Sequence, residues 1–367
     1  MGLYVCNAAE SPISIEQAQQ WLDRFVETRQ LPIELNLLRM EWRRFFVPHM
    51  SASDLEAMRQ RVRTTPGSLE KDKLVAEEQR FRGDSWIDLT LVSQADSYRL
   101  STDFSPGTPG GLKYDDSVVT PTYAWGLGTR GLRVEGASAS ELPSESVRSV
   151  GPPLIAELRR VLSANVDVLS RSNTRLIVSS VTDAGWMASA RGSLNQREWE
   201  FQSSGTWSAD RSGLVMSELR GNVIGSKNVG IRWSFSDWAA SAEIGFEIAN
   251  DTREFDGAGA LVSRVLIRNV RPIEAQEFAT LVAMPSIGGA DPIRGSIGDR
   301  VVKDSRAGEP TYTTYKDGSP VKTIAKAELP AEKSRQRLIV IGWIVGSALL
   351  VGFVALAIQR RGGGRHT

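Results

Sequence analysis

The sequence predicts an α+β fold. It reads as mainly an antiparallel β meander, a curved sheet or half-barrel with a few helices, plus one C-terminal transmembrane helix. Three observations predict it. Apolar residues alternate with polar ones at a period of two over 74–100 and again over 175–270. Turn residues break these runs every 8–15 residues, the spacing of antiparallel sheet and not of a βαβ repeat. Finally, Leu338 to Ile358 carry no charge, and a helix of that length spans about 31 Å, close to the ~30 Å hydrocarbon core.

Composition narrows the function. The chain has 367 residues, 41% apolar and 24% charged, with 44 basic against 43 acidic side chains. A balance that even supplies no field for nucleic acid, so none is expected as a partner. One cysteine excludes an internal disulfide and any Cys cluster, and two histidines leave no set for a His-built metal site. No cofactor and no metal are expected.

Residues 1–12 form an N-terminal segment. Leu3 to Cys6 followed by Asn7 to Ala9 reads as the end of a signal-peptide apolar region with a small-residue cleavage site. The body, 13–317, opens with a helix. Ser14 through Gln17 is a capping box, and Ile15, Ala18, Leu22, Phe25 and Val26 then share one face until Leu31–Pro32. Leu38, Met40 and Trp42 alternate with Arg39, Glu41 and Arg43 as in a strand, with a helix over Glu34–Phe46 as the other reading. Ser53 is expected to cap a short helix ending before Pro66. From Leu74 the alternation of Val75, Glu77, Gln79 and Phe81 reads as a strand running to a turn at Gly83–Asp84. Strands at Trp86–Val92 and Tyr98–Leu100 complete a meander, and 105–111 is a loop.

Residues 137–153 read as an exposed connection that splits the body into two possible halves, and Leu154–Leu162 as an amphipathic helix. Strands are expected at Arg175–Val181, Trp186–Ala190, Glu198–Gln202, Leu214–Leu219, Val229–Phe235, Ala242–Ile248 and Leu261–Val270. A short helix at Ala275–Ala283 and a hairpin at Val301–Tyr315 follow. Residues 318–337 form a stalk, 338–358 the membrane helix and 359–367 a tail. Basic residues flank both ends of the span in similar number, so the positive-inside count leaves its orientation open. The β-rich body suits the outer, periplasmic side, with the cytoplasmic side as the other reading.

Several motifs read as structure. Gly126–Gly131 matches G-x-G-x-x-G, but no helix has room to follow, so it is a β-turn. Arg82–Asp84 spells RGD where the chain needs a turn. His49 stands without a nucleophile elbow. Asp115–Asp116, in a loop, and Glu198 with Glu200, on one strand face, are candidate carboxylate pairs for acid–base hydrolysis. Asn250–Thr252 is a glycosylation sequon. The candidate ligand-facing residues are aromatic: Trp199 and Phe201 share one face, and Trp233 and Phe235 another, with Trp186, Trp207 and Trp238 nearby. Such a face can bind lipid or fill a core.

A leading helix at Ser14–Arg29, a meander at Leu74–Leu100, a helix at Pro153–Ser163 and a long second meander resemble the LolA-like half-barrel of periplasmic lipoprotein carriers. The resemblance covers about Ile13–Tyr315 and rests on element order. It implies a curved antiparallel sheet around helices, with an acyl chain in an apolar cavity. The expected function is a single-pass, membrane-anchored domain that binds a lipid-like ligand or an envelope protein and catalyses nothing. A carboxylate-dependent hydrolase and a tail-anchored cytoplasmic sensor or scaffold are the alternatives.

Overall fold

The computed structural model describes residues 12–30, 35–64, 67–108, 111–129, 131–136, 151–226, 229–285, 290–296, 300–306, 309–316 and 319–325. These contain six helices and eighteen strands, nearly all strand pairs antiparallel. The expected membrane helix, Leu338–Ile358, lies outside the described residues, as do the N-terminal segment 1–11 and residues 137–150, the bulk of the expected connection. Among the described residues no helix is long and apolar enough to cross a membrane. The chain divides into two compact units, 1–130 with 137–284, and 131–136 with 285–367.

In the first unit, α1 (Ile15–Gln30) starts where predicted, with Ser14 Oγ accepting from Gln17 N at 3.1 Å. β1 (Leu38–Phe46) buries Leu38, Met40 and Trp42 in strict alternation, which settles the strand reading against the helix. α2 (Ala52–Thr64) is capped by Ser51, not Ser53: Ser51 Oγ accepts from Asp54 N at 3.2 Å.

The predicted strand beyond Leu74 is instead α3 (Ser68–Arg82). Its Leu, Glu, Lys, Gln and Arg side chains favour helix. Gly83, at φ +75°, ends it with Gly83 N bonding Arg80 O and Asp84 N bonding Gln79 O. That is a Schellman cap, so the RGD glycine terminates a helix and does not turn a hairpin. Alternation misleads here because every second residue from Val75 to Phe81 is large, whereas the buried ones are Glu77 and Gln79, held by polar partners.

β2 (Trp86–Gln94), β3 (Ser97–Phe104), β4 (Tyr114–Val119) and β5 (Tyr123–Gly128) form the first meander. α4 (Gly151–Leu162) and α5 (Asp167–Arg171) follow. The second meander comprises β7 (Ile177–Thr182), β8 (Gly185–Leu194), β9 (Arg197–Trp207), β10 (Leu214–Val223), β11 (Gly230–Ser241), β12 (Phe246–Asp256) and β13 (Leu261–Pro272). The strand expected at Ala242–Ile248 is displaced: 242–245 make the turn, with Gly245 at φ +87°, and β12 starts at Phe246. The sheet order is β5-β4-β3-β2-β1-β13-β12-β11-β10-β9-β8-β7. Thus β1 sits mid-sheet and joins the two meanders through antiparallel pairs with β2 and β13. The sheet is not closed, since no pairing joins β5 to β7 among the described residues.

α6 (Ala275–Val282) packs on β2 and β3. Its last carbonyls are capped by side chains: Arg99 Nη1 donates to Leu281 O at 2.9 Å and Trp125 Nε1 to Val282 O at 3.0 Å. A cation at a helix C-terminus complements its dipole. Two apolar clusters result. One gathers α1, α5 and β7–β12; the other gathers α4 with β1–β3 and β13.

In the second unit, β6 (Gly131–Gly136) runs parallel to β16 (Arg300–Asp304), which pairs antiparallel with β17 (Thr311–Lys316) and through it with β18 (Ser319–Ala325). Gly131 is required: at φ +142° an added Cβ would collide with the Val301 carbonyl. β14 (Ala290–Asp291) and β15 (Gly295–Ser296) make a small ladder. The segment read as a stalk therefore begins with β18, and the remainder, from 326, lies outside the described residues.

Candidate functional site

The aromatic residues singled out in the sequence converge beneath α1. Ala18, Leu22 and Phe25 form its buried stripe, and α1 lies over β7 and β10. Phe201, Trp233 and Phe235 are buried in the cluster that this stripe covers, with Trp199 packed at its margin. Phe201 is fully inaccessible. Trp199 and Phe201 stack with centroids 6.1 Å apart and planes at 12°. Gly221, opposite Phe201 on β10, leaves room for both rings, because a Cβ there would meet the Phe201 ring at 2.9 Å. Helix and sheet meet ring to ring: Trp21 against Trp207 at 6.0 Å, and Phe25 against Trp238 at 5.8 Å, both edge-to-face. This is the favourable geometry for aromatic pairs.

Polar contacts tie α1 down at three points. The Gln19 carboxamide bonds Leu176 O and Val178 N. Asp23 pairs with Arg175 at 2.6 Å, and that hydrogen bond holds the Asp23 carboxyl below its usual range. Arg29 is 6% exposed, donates to Glu247 O at 2.5 Å, and lies 3.6 Å over the Phe25 ring and 4.6 Å over Phe246. Burial pushes its guanidinium down to about 10, against the raising effect of the Glu247 charge. It stays charged at neutral pH. Two recesses flank the helix. One, of about 310 Å³, lies at its N-terminal end among Ile13, Val181, Asp183, Trp207 and Arg211; the other, of about 220 Å³, lies among Leu22, Asp23, Val26, Glu27, Arg175 and Leu176.

The other candidates are dispersed. Asp115 and Asp116 lie in β4, not in a loop, and Asp116 is fully buried against Arg99 at 2.5 Å. Glu198 and Glu200 are on β9, with Glu200 3.8 Å from Arg191. His49 is exposed, and its backbone N–H donates to Glu77. Gly126 and Gly128 close β5, and no helix follows Gly131. The sequon is closed by folding, since Thr252 is buried mid-strand in β12. Among the described residues no group of three or more His, Cys, Asp or Glu could hold a metal ion.

Two contributors escaped the sequence reading. Arg29 continues the Ala18–Leu22–Phe25 stripe at helical spacing, so its place on the apolar face was the available signal. Trp21 sits one residue off the stripe and reaches Trp207 from its margin.

No known protein family matches the chain, and no curated protein matches it. Solved structures are similar at low scores. One is a domain assigned as an outer membrane lipoprotein-sorting protein, from Vibrio parahaemolyticus: TM-score 0.32, 6% identity, 72% of this chain and 97% of that one covered. A second is a DUF1329 family protein from Desulfovibrio piger: TM-score 0.32, 8% identity, 70% and 99% covered. A third is an uncharacterized conserved protein from Thermus thermophilus: TM-score 0.28, 10% identity, 73% and 94% covered. At these scores the likenesses decide neither fold, ligand nor activity.

Proposed function

We propose that the chain is a membrane-anchored binding module of the cell envelope, without catalytic activity, and that it holds a lipid-like chain in the layer between α1 and β8–β12. The observation that carries this reading is the make-up of that layer. Rings from α1 and from the sheet meet across it, and recesses open on both sides of the helix. An apolar chain entering beside Trp207 or Val26 would pass charged mouths, Asp183 and Arg211 at one and Asp23, Glu27 and Arg175 at the other, and reach the apolar and aromatic cluster once α1 shifts outward. Trp199, Phe201, Trp233 and Phe235 would line its path. The uncharged run Leu338–Ile358 would span the bilayer, and the part of the expected stalk beyond β18, residues 326–337, would link the body to it, on the periplasmic side.

Mass spectrometry of lipid co-purified with the full chain tests the reading. Bound acyl species that are lost in a Phe201→Arg variant which still folds are the expected result. A folded chain free of lipid, with no affinity for an added fatty acid, overturns it. Carbonate extraction and protease digestion of intact spheroplasts test the anchor and its side.

One observation favours a second reading, a protein-binding scaffold: the layer is filled in this state, with Phe201, Trp233 and Phe235 all at 6% exposure or less. The hydrolase reading gains nothing from Asp116, whose carboxylate is engaged by Arg99.

A further inference from the structure

A third recess lies away from α1, where the turn between α4 and α5 meets β11, β12 and β13. Glu157, Arg160 and Asn165 line it from the helical side, and Trp233, Thr252, Glu254 and Ser263 from the sheet. It holds about 10 Å³, room for one water-sized group. Thr252 is 4% exposed, and its hydroxyl is closed off with no hydrogen-bond partner. A buried hydroxyl left unpaired is destabilising, and native structures rarely tolerate one without an occupant.

The charges on the lining add a second clue. Glu157 is neutralised by Arg44 at 2.9 Å. Glu254 accepts only the Trp233 indole N–H, at 3.3 Å, and has no cation partner among the described residues. Arg160, exposed at the mouth, has no carboxylate partner among them either. A free carboxylate and a free guanidinium thus line one recess without pairing with each other, and an orphan hydroxyl lies in the same lining. Asn165, whose backbone is fixed in the left-handed region at φ +56° by its N–H bond to Arg160 O at 2.8 Å, adds a carboxamide.

We propose that this recess binds a zwitterion bearing a primary ammonium and an anionic group. The ammonium, about the size of a water molecule, seats against Glu254, Thr252 and Ser263 over the Trp233 indole. The anion rests on Arg160 at the mouth. Three N–H donors meet a carboxylate and two hydroxyl oxygens, and the guanidinium takes the phosphate or carboxylate. A quaternary ammonium is too large for the space and is rejected. The proposal stands on this recess alone and does not require the layer under α1 to hold a chain.

Calorimetry on the full chain in a non-ionic detergent tests it, with phosphoethanolamine, phosphocholine and ethanolamine as probes. Phosphoethanolamine is expected to bind and phosphocholine to fail. Glu254→Gln should weaken phosphoethanolamine about tenfold or more, a loss typical of a charge-assisted bond. Arg160→Gln should weaken phosphoethanolamine while leaving ethanolamine unchanged. Arg160 is exposed, so this variant still reports if Glu254→Gln fails to fold. Native mass spectrometry from nanodiscs separates the sources. Retention of phosphatidylethanolamine over phosphatidylcholine assigns a lipid headgroup, and binding of phosphoethanolamine without lipid retention assigns a free zwitterion. Equal affinity for phosphocholine, indifference to both substitutions, or no binding by a chain with native circular dichroism overturns the proposal and leaves the recess to an ordered water.

Discussion

Gln19 on α1 stands in for a missing strand beside Val178 on β7. Its Oε1 accepts from Val178 N at 2.8 Å and its Nε2 donates to Leu176 O at 3.0 Å, the pair of bonds a neighbouring strand would make. β7 is the last strand of its sheet, and unpaired edges invite pairing with other chains. Replacing Gln19 by Ala uncovers both groups and should lower stability by about 1–3 kcal/mol. The urea midpoint should fall, and light scattering should show more self-association than in the parent. Gln19→Glu keeps the acceptor but turns a carboxylate oxygen toward Leu176 O and Asp23 Oδ1, both of which now accept from Nε2 at 3.0 Å, so it should be at least as destabilising as Gln19→Ala.

Arg29 is a charge held among rings, with no carboxylate within ion-pair distance among the described residues. Its fall to about 10, caused first by burial, corresponds to a penalty on the order of 3 kcal/mol on the charged form. Hydrogen bonding to Glu247 O and contact with Phe25, Trp238 and Phe246 offset part of it. Arg29→Met keeps the packed stem and removes the charge, so it should be neutral or stabilising by about 1–3 kcal/mol. Arg29→Ala also empties the space under α1 and should fall below the Met variant by about 2–3 kcal/mol. Chemical denaturation of the two variants side by side checks the order. An Ala variant as stable as the Met variant would show that the stem contributes nothing.

Much of this is legible from residue order, and the failures have physical causes. The Ser14 cap and the stripe at Ala18, Leu22 and Phe25 fix α1 locally, and alternation fixes β1 because one of its faces is buried and the other is not. α3 defeats the strand reading because period-two spacing of large residues does not require a buried face; its cap at Gly83 is the better signal. Asp116 reads as loop because a charge pair in sequence suggests solvent, while the partner that buries it, Arg99, lies on the adjacent strand. The aromatic rows are visible in the sequence, but not the helix that covers them. The recess at Thr252 joins residues from 157 to 265 and leaves no local trace.

Arg99 and Asp116 should behave as a buried pair. Both are fully inaccessible, 2.5 Å apart, and Arg99 also holds Leu281 O at the end of α6. Removing one partner takes away the opposite charge that the other meets inside a fully buried site. Asp116→Leu or Arg99→Met should each cost about 3–5 kcal/mol. The double variant Arg99→Met with Asp116→Leu should recover a large part of that loss, because neither charge is then left uncompensated. Urea titrations of the three variants form the test, and simple additivity of the two single losses would show that no pair exists.

Asp251 should give the fold an acid-sensitive element. Burial acts to raise its pKa, but hydrogen bonds from Arg264 at 2.9 Å and Arg253 at 2.8 Å outweigh it and hold the carboxyl below its ordinary value. A depressed carboxylate means that the unfolded chain binds a proton more readily. The stabilisation is therefore complete above the unfolded value of about 3.9 and is lost as pH falls through the folded one. Asp251→Asn should cost about 1–3 kcal/mol at pH 7, since both arginines are partly solvated. Its difference from the parent should shrink steadily below about pH 4. Denaturation midpoints measured from neutral pH down to about pH 2.5 decide the matter. A constant gap across that range would show that the Asp251 charge plays no part and that the substituted carboxamide merely packs less well.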